Sequence, residues 1–240
     1  MHTTIFAVGE SPKNPLVIWA GTDDGNLQVT RNGGTTWTNV VGKIAGLPKN
    51  AWVTSVEPGH FAAGTIFATF DLHTFGDMRA YAYKSTDYGA TWTALIAPDS
   101  PVRGYAHVIK EDLVNPNLLF VGTELGLWLS VDGGKQWAHY KGGDLPTVAV
   151  RDLAIHPRDH DLVIATHGRG IWIVDDISPL RALTPEVLAS SVAFLVGRPT
   201  VQRLQSGGGW VNGDAMFVGA NPPSDAVITS TSGAVTFSAT

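Results

Sequence analysis

The stretch DLHTFGDMR, residues 71–79, gathers the side chains in this chain best suited to chemistry. Asp71 and Asp77 are a pair of carboxylates, the minimum for cleaving a glycosidic bond: one carboxyl donates a proton and the other acts as nucleophile or base. Asp71, His73 and Asp77 also offer the oxygen and imidazole ligands that hold a divalent cation. Asp-x-His is a common chance spacing, however, so no metal and no cofactor is assigned. Taken one at a time, each of these residues reads most simply as an exposed loop residue or half of an ion pair. The choice between chemistry and scaffolding depends on the elements that carry them.

Those elements repeat. TRNGGTTW (30–37), STDYGATW (85–92) and SVDGGKQW (130–137) share one pattern of hydroxyl, Asp or Asn, Gly and Trp, with starts 85−30 = 55 and 130−85 = 45 residues apart. An enzyme does not need one catalytic acid three times, whereas a repeated unit needs its turn in every copy. An Asp in a tight turn accepts hydrogen bonds from backbone N–H groups just downstream. Gly89 supplies a positive φ, Ser85 and Thr91 can bond across the turn, and Trp92 buries a large apolar surface between neighbouring units. Asn32 occupies the acid's place in the first copy; an amide can hold a turn but cannot replace a catalytic acid. Asn32, Asp87 and Asp132, with Trp37, Trp92 and Trp137, are therefore read as structural.

A second feature aligns four copies. Pro12, Pro58, Pro116 and Pro157 each mark a turn followed by an apolar run ending in small residues. Each copy holds three or four short runs cut by Gly, Pro, Asn and Asp, the signature of strands and turns. Units of roughly 40–50 residues with about four strands are propeller blades. The expected fold is all-β: about four blades, part of a larger propeller because four is the low end of the usual range, then a short irregular or β tail.

Strand order now places the candidates. The Asp or Asn turns join strands C and D on one face of the array. The B–C loops lie on the other face, where ligand sites converge on the central channel. The residue just after strand B is Asp23, Asp71, Glu124 and His167 in the four copies. His73, Asp77 and Arg169 join them in the same loops. Trp52, before strand A of the second copy, is the best-placed aromatic for stacking, whereas Trp19, Trp128 and Trp172 recur within strands and read as core.

Composition sets the outer bounds. The chain has 240 residues, 16 basic and 21 acidic, with no cysteine, so it offers no disulfide, no thiolate site and no basic excess to draw nucleic acid. No apolar run approaches the roughly 18 residues of a membrane helix. Met1-His2-Thr3-Thr4 carries neither the basic start nor the apolar stretch of a signal peptide.

The three turns resemble the Asp-box, or BNR repeat, S-x-D-x-G-x-T-W, found in sialidases, xyloglucanases and sortilin-type propellers. YAYKSTDYGATW and LVIATHGRGIWIVDDISPLRALTPEVL resemble the last blades of sortilin-like, BNR-repeat propeller proteins of bacteria, often labelled glycosyl hydrolases. The resemblance covers residues 5 to about 190. It implies an exported protein and more blades ahead of these, so the chain is expected to be a C-terminal portion of a larger protein. An open array would leave two sheet faces exposed; a small closed ring is the alternative. Blades are expected over 1–178, a short helical linker over 179–199 where Ser178-Pro179 and Thr184-Pro185 start helices, and a loop-rich tail over 200–240 with a hairpin near its end, the possible start of a β-sandwich.

Two functions follow. The first is a non-catalytic module binding a protein, peptide or glycan. The second is a glycoside hydrolase with Asp71 or Asp77 as one acid. A sialidase's arginine triad, nucleophilic tyrosine and FRIP-like strand are not seen, so that activity is not carried over; a xyloglucanase needs a second aspartate that the sequence does not place.

Overall fold

The computed structural model of this chain describes residues 3–199 and 227–232. Its core is a row of β-propeller blades. Blade 1 comprises β1 (Ile5–Ser11), β2 (Asn14–Thr22), β3 (Leu27–Thr30) and β4 (Thr38–Asn39). Blade 2 comprises β5 (Trp52–Pro58), β6 (Ile66–Leu72), β7 (Asp77–Ser85) and β8 (Thr93–Ala94). Blade 3 comprises β9 (Ala106–Glu111), β10 (Leu119–Thr123), β11 (Gly126–Ser130) and β12 (Ala138–His139). Blade 4 has β13 (Val150–Ile155), β14 (Leu162–Thr166) and β15 (Ile171–Val174), and no fourth strand among the described residues. Every sheet is antiparallel and runs in chain order. The fourth strand of the complete blades is only two residues long, shorter than runs such as WTNV suggested.

Stacking explains the strand sequences. The second strand of blade 2, IFATFDL, is buried along its whole length because a blade covers each of its faces. Such a strand reads as a continuous apolar run instead of alternating. Three clusters fill the joints: Trp19, Leu27 and Val29 meet Val56, Ile66 and Phe70; Phe67 and Ala82 meet Ile109, Val121 and Trp137; Phe120 and Leu127 meet Leu153 and Ile164. The first strands pack in order, β1 on β5, β5 on β9 and β9 on β13, so they form the inner wall of an arc.

After blade 4 come α1 (Ser178–Arg181) and α2 (Pro185–Ala189), the second capped by Thr184, whose side chain accepts from Val187 N. Arg181 returns to blade 3 and grips the buried Asp112 carboxylate through Nε and NH2, both at 2.8 Å. Ile177 and Leu180 complete the third cluster. β16 (Val192–Leu195) follows and pairs antiparallel with β17 (Thr229–Ser232). The helical stretch expected over 179–199 thus contains a strand at its end. That strand is a partner of β17 from more than thirty residues away, and such long-range pairing leaves no local turn signal. Residues 200–226, expected to be loop-rich, and the far half of the expected hairpin lie outside the described residues. No helix among the described residues is long and apolar enough to cross a membrane.

Candidate functional site

The three repeated turns satisfy their hydroxyl and Asp or Asn side chains internally, while one backbone N–H of each, from Gly33, Tyr88 and Gly133, reaches out to Leu16 O, Gly64 O and Asn117 O. Ser85 Oγ donates to Asp87 Oδ1 at 2.8 Å and accepts from Gly89 N at 2.9 Å, while Asp87 Oδ1 accepts from Thr91 N at 2.8 Å. Thr30 and Asn32 repeat this, with Gly34 N and Thr36 N each at 2.9 Å, and Ser130 and Asp132 repeat it with Gly134 N at 2.8 Å and Gln136 N at 3.0 Å. Hydrogen bonds from the Thr91 hydroxyl and amide, with Ser85, hold the Asp87 carboxyl down at about 2. Such a carboxylate is a backbone anchor and has no proton to give at neutral pH. The tryptophans behind the turns differ. Trp137 is buried and donates to Leu95 O of blade 2 at 2.9 Å. Trp92 is half-buried, edge-on to Trp19 of blade 1 at 6.5 Å. Trp37 is exposed.

The inner strands carry a second repeat that residue types do not reveal. In each blade the first strand holds one residue more than its partner. Pairing passes from Ile5 to Ala7, from Val53 to Ser55, from Ala106 to Val108 and from Val150 to Asp152, each against adjacent residues of the second strand. The residues left over are Phe6, Thr54, His107 and Arg151. A bulge of this kind re-aims a side chain and releases it from the sheet's alternation. All four, with Val8 and Asp152, line one cleft of about 360 Å³ between the inner strands. The inner strands stand at the edges of their sheets, so their far-side N–H and C=O groups also face it.

The B–C residues form the rim beside these bulges. Asp23 N, Glu124 N and His167 N bond Thr4 O, Tyr105 O and Ala149 O at 3.1, 3.1 and 2.9 Å, and Asp71 stands opposite Trp52. The four positions are therefore equivalent, each closing the start of an inner strand. Two of them belong to one side-chain network. Buried Asp71 accepts from His73 N at 2.7 Å, and its Oδ2 meets His73 Nδ1 at 2.5 Å. The His73 ring stacks on Tyr105, centroids 4.5 Å apart at 17°, and Tyr105 stands edge-on to His107 at 4.9 Å. His107 Nε2 meets Glu124 Oε2 at 2.9 Å, and Arg151 NH1 lies 3.3 Å from His107 Nδ1. A guanidinium can only donate, so Nδ1 is the acceptor and the proton of a neutral His107 sits on Nε2. Burial keeps that imidazole neutral by pulling its pKa below the ordinary value. Burial pushes the Glu124 carboxyl up, but hydrogen bonds from His107 and Tyr105 and the Arg151 charge outweigh it, so the net direction is down. Arg151 NH2 is 3.4 Å from Glu124 Oε2, a loose pair that leaves most of its N–H groups unused.

The other candidates lie apart from this network. Asp77 is chelated by Arg79, with Nε at 2.9 Å and NH2 at 2.6 Å, and accepts from the Tyr81 hydroxyl at 2.7 Å. The Arg79 hydrogen bonds hold its carboxyl well below the usual range. Asp23 accepts from Thr4 N at 2.9 Å and ties down the start of β1. His167 and Arg169 are exposed, and the Arg169 carbonyl accepts from Trp172 Nε1 at 3.0 Å. Trp52 packs edge-on against Phe6 at 4.8 Å, which carries an aromatic wall from the rim into the cleft. Burial does push up one carboxyl, Glu57, but its partners are Lys110 at 2.7 Å and His60 in the blade 2–blade 3 joint. Among the described residues no group of three or more His, Cys, Asp or Glu side chains is arranged to hold a metal ion.

Phe6, Thr54, His107 and Arg151 were not singled out from the sequence. The signal that finds them is alignment on the B–C residue: each stands two residues beyond the one paired with it, after Thr4, Trp52, Tyr105 and Ala149.

No family model matches the sequence, and none of the curated proteins matches it. Solved structures do. An ancestral GH74 enzyme superposes with a TM-score of 0.54 at 21% identity, over 68% of this chain and 22% of that one. YCF48 bound to D1 peptide gives 0.51 at 20%, over 72% of this chain and 52% of that one. An auxiliary nutrient binding protein from Bacteroides thetaiotaomicron gives 0.52 at 13%, over 72% and 38%. At these identities the likeness is one of fold, and the chain spans between about a fifth and a half of their lengths.

Proposed function

We propose that this chain is a non-catalytic binding module of an exported, Asp-box, sortilin-like propeller protein, and that it takes a protein, peptide or glycan ligand in the inner-strand cleft. The observation that carries this reading is the convergence of four bulge residues of four different chemistries, Phe6, Thr54, His107 and Arg151, on one open cleft. Supporting it, the carboxylates nearest the cleft are committed to hydrogen bonds, and Glu124 and Asp77 are held as anions where a glycosidase needs a general acid of raised pKa. Solved relatives in fold include a peptide-bound and a nutrient-binding propeller. A second reading, a glycoside hydrolase using Asp71, draws support from the Asp71–His73 pair, which leaves His73 Nε2 free of the carboxylate. One experiment separates them: a glycan and peptide array, followed by reducing-sugar release on any glycan bound. Binding without release, lost in Arg151→Gln, is the expected result. Release that vanishes in Asp71→Asn would replace the binding reading with the hydrolase.

A further inference from the structure

The joints between blades repeat residue for residue. The third strand of each complete blade turns two side chains toward the next blade: Leu27 and Val29, Ala80 and Ala82, Leu127 and Leu129. All six are buried, because the next blade covers them. Ile171 and Ile173 are their counterparts in blade 4. They pair with Ala165 and Val163 as Leu127 and Leu129 pair with Gly122 and Phe120. Yet Ile171 is 72% and Ile173 59% exposed. The opposite end shows the complementary half. Val8 pairs with Ala20 as Val56 pairs with Ala68, but Val56 is buried against blade 1 and Val8 is 66% exposed. Trp37 is 43% exposed where Trp137, at the same turn position, is 3% exposed. The described blades therefore present two uncovered halves of one joint, whose strand contacts occur three times within the array and whose turn tryptophan is covered at the first two of them.

We propose that two copies of this chain associate head to tail, with Ile171 and Ile173 of one copy docking on Val8 and Trp37 of the other. The internal joints are the template for this contact, and each copy supplies both halves. Two such contacts close a ring of twice four blades, eight, within the usual range of about 4–8. The contact is looser than an internal joint for a visible reason. At the first two joints the residue after the fourth strand packs under the turn glycine of the next blade: Val40 and Leu95 lie 3.0 and 2.8 Å from where a Cβ of Gly89 and Gly134 would stand. Among the described residues blade 4 has no fourth strand, so the Gly34–Trp37 turn lacks that support, and the dimer dissociates on dilution.

Sedimentation equilibrium of the 240-residue chain tests this, with a reversible species of twice 25.5 kDa expected as concentration rises. Ile173→Arg and Val8→Asp are each expected to be monomeric with unchanged melting, since both side chains are exposed; Ile171→Arg stands in should circular dichroism show Ile173→Arg misfolded. An equimolar mixture of the two variants regains a dimer, because each keeps the face the other has lost. A wild-type chain that stays monomeric throughout overturns the proposal and leaves the faces to blades of another polypeptide. A dimer that survives Ile173→Arg, or a mixture that fails to recover, overturns it in favour of pairing between like faces or elsewhere.

Discussion

The two ends of a blade teach opposite lessons. At the C–D end, three turns use nearly the same residue types in the same places, and their hydroxyl and Asp or Asn side chains bond within the turn. At the inner-strand end, four equivalent positions hold a phenylalanine, a threonine, a histidine and an arginine, all facing one cleft. Repetition of type at equivalent positions marks scaffold, because every blade faces the same folding problem. Divergence at equivalent positions marks a surface shaped by something outside the fold.

That contrast can be broken by experiment, most forcefully at the tryptophans. If the turns are scaffold, the effect of truncation follows what stands behind each ring. Trp137→Ala removes a buried ring bonded to blade 2 and is expected to destabilise by about 3–5 kcal/mol. Trp92→Ala falls between the extremes, and Trp37→Ala stays within about 0.5 kcal/mol in dilute monomer. Urea unfolding of the three variants checks the order; equal effects would mean that the ring matters to its own turn and not to the joint.

Ser85→Ala and Ser130→Ala come next. Each deletes a buried hydroxyl that accepts a glycine N–H and donates to the turn carboxylate, a loss of about 1–3 kcal/mol. Arg151→Gln, on the half-exposed wall of the cleft, is expected to change stability by less than about 1 kcal/mol. Denaturation midpoints that reversed this ranking would move the structural burden to the cleft.

A smaller effect is a pH dependence. The folded pKa of His107 lies below its ordinary value of about 6.5, so the unfolded chain binds the extra proton first. The contribution of His107 to stability is complete above that ordinary value and declines as pH falls through the histidine range. Melting temperature should therefore drop on mild acidification, and the drop should be shallower in His107→Gln. An identical slope in the variant would assign the effect to another group.

Blades, turns and rim positions were legible in the sequence because short-range residue types specify them. A hydroxyl, Asp or Asn and Gly at fixed offsets build a turn wherever they occur, and a B–C residue is found by counting from an apolar run. The equivalence of Asp23, Asp71, Glu124 and His167 was legible for the same reason. Asp77 was harder to read, because Arg79 and Tyr81 claim it from its own strand, and an exposed ion pair looks like a free carboxylate in sequence. The cleft residues were hidden more deeply. A bulge is a property of register between two strands, and Thr54 or Phe6 announces nothing by type. The exposure of Trp37 and the β16–β17 pairing depend on what lies across space, which local pattern does not carry.

The most direct test of the account is the array binding of four single variants beside the wild-type chain: Phe6→Ala, His107→Gln and Arg151→Gln in the cleft, and Thr35→Ala at the repeated turns. The account predicts that each cleft variant weakens the bound ligand by at least about tenfold, roughly 1.4 kcal/mol, while Thr35→Ala binds as wild type does. Binding indifferent to all three cleft substitutions, or lost with Thr35→Ala, would contradict it.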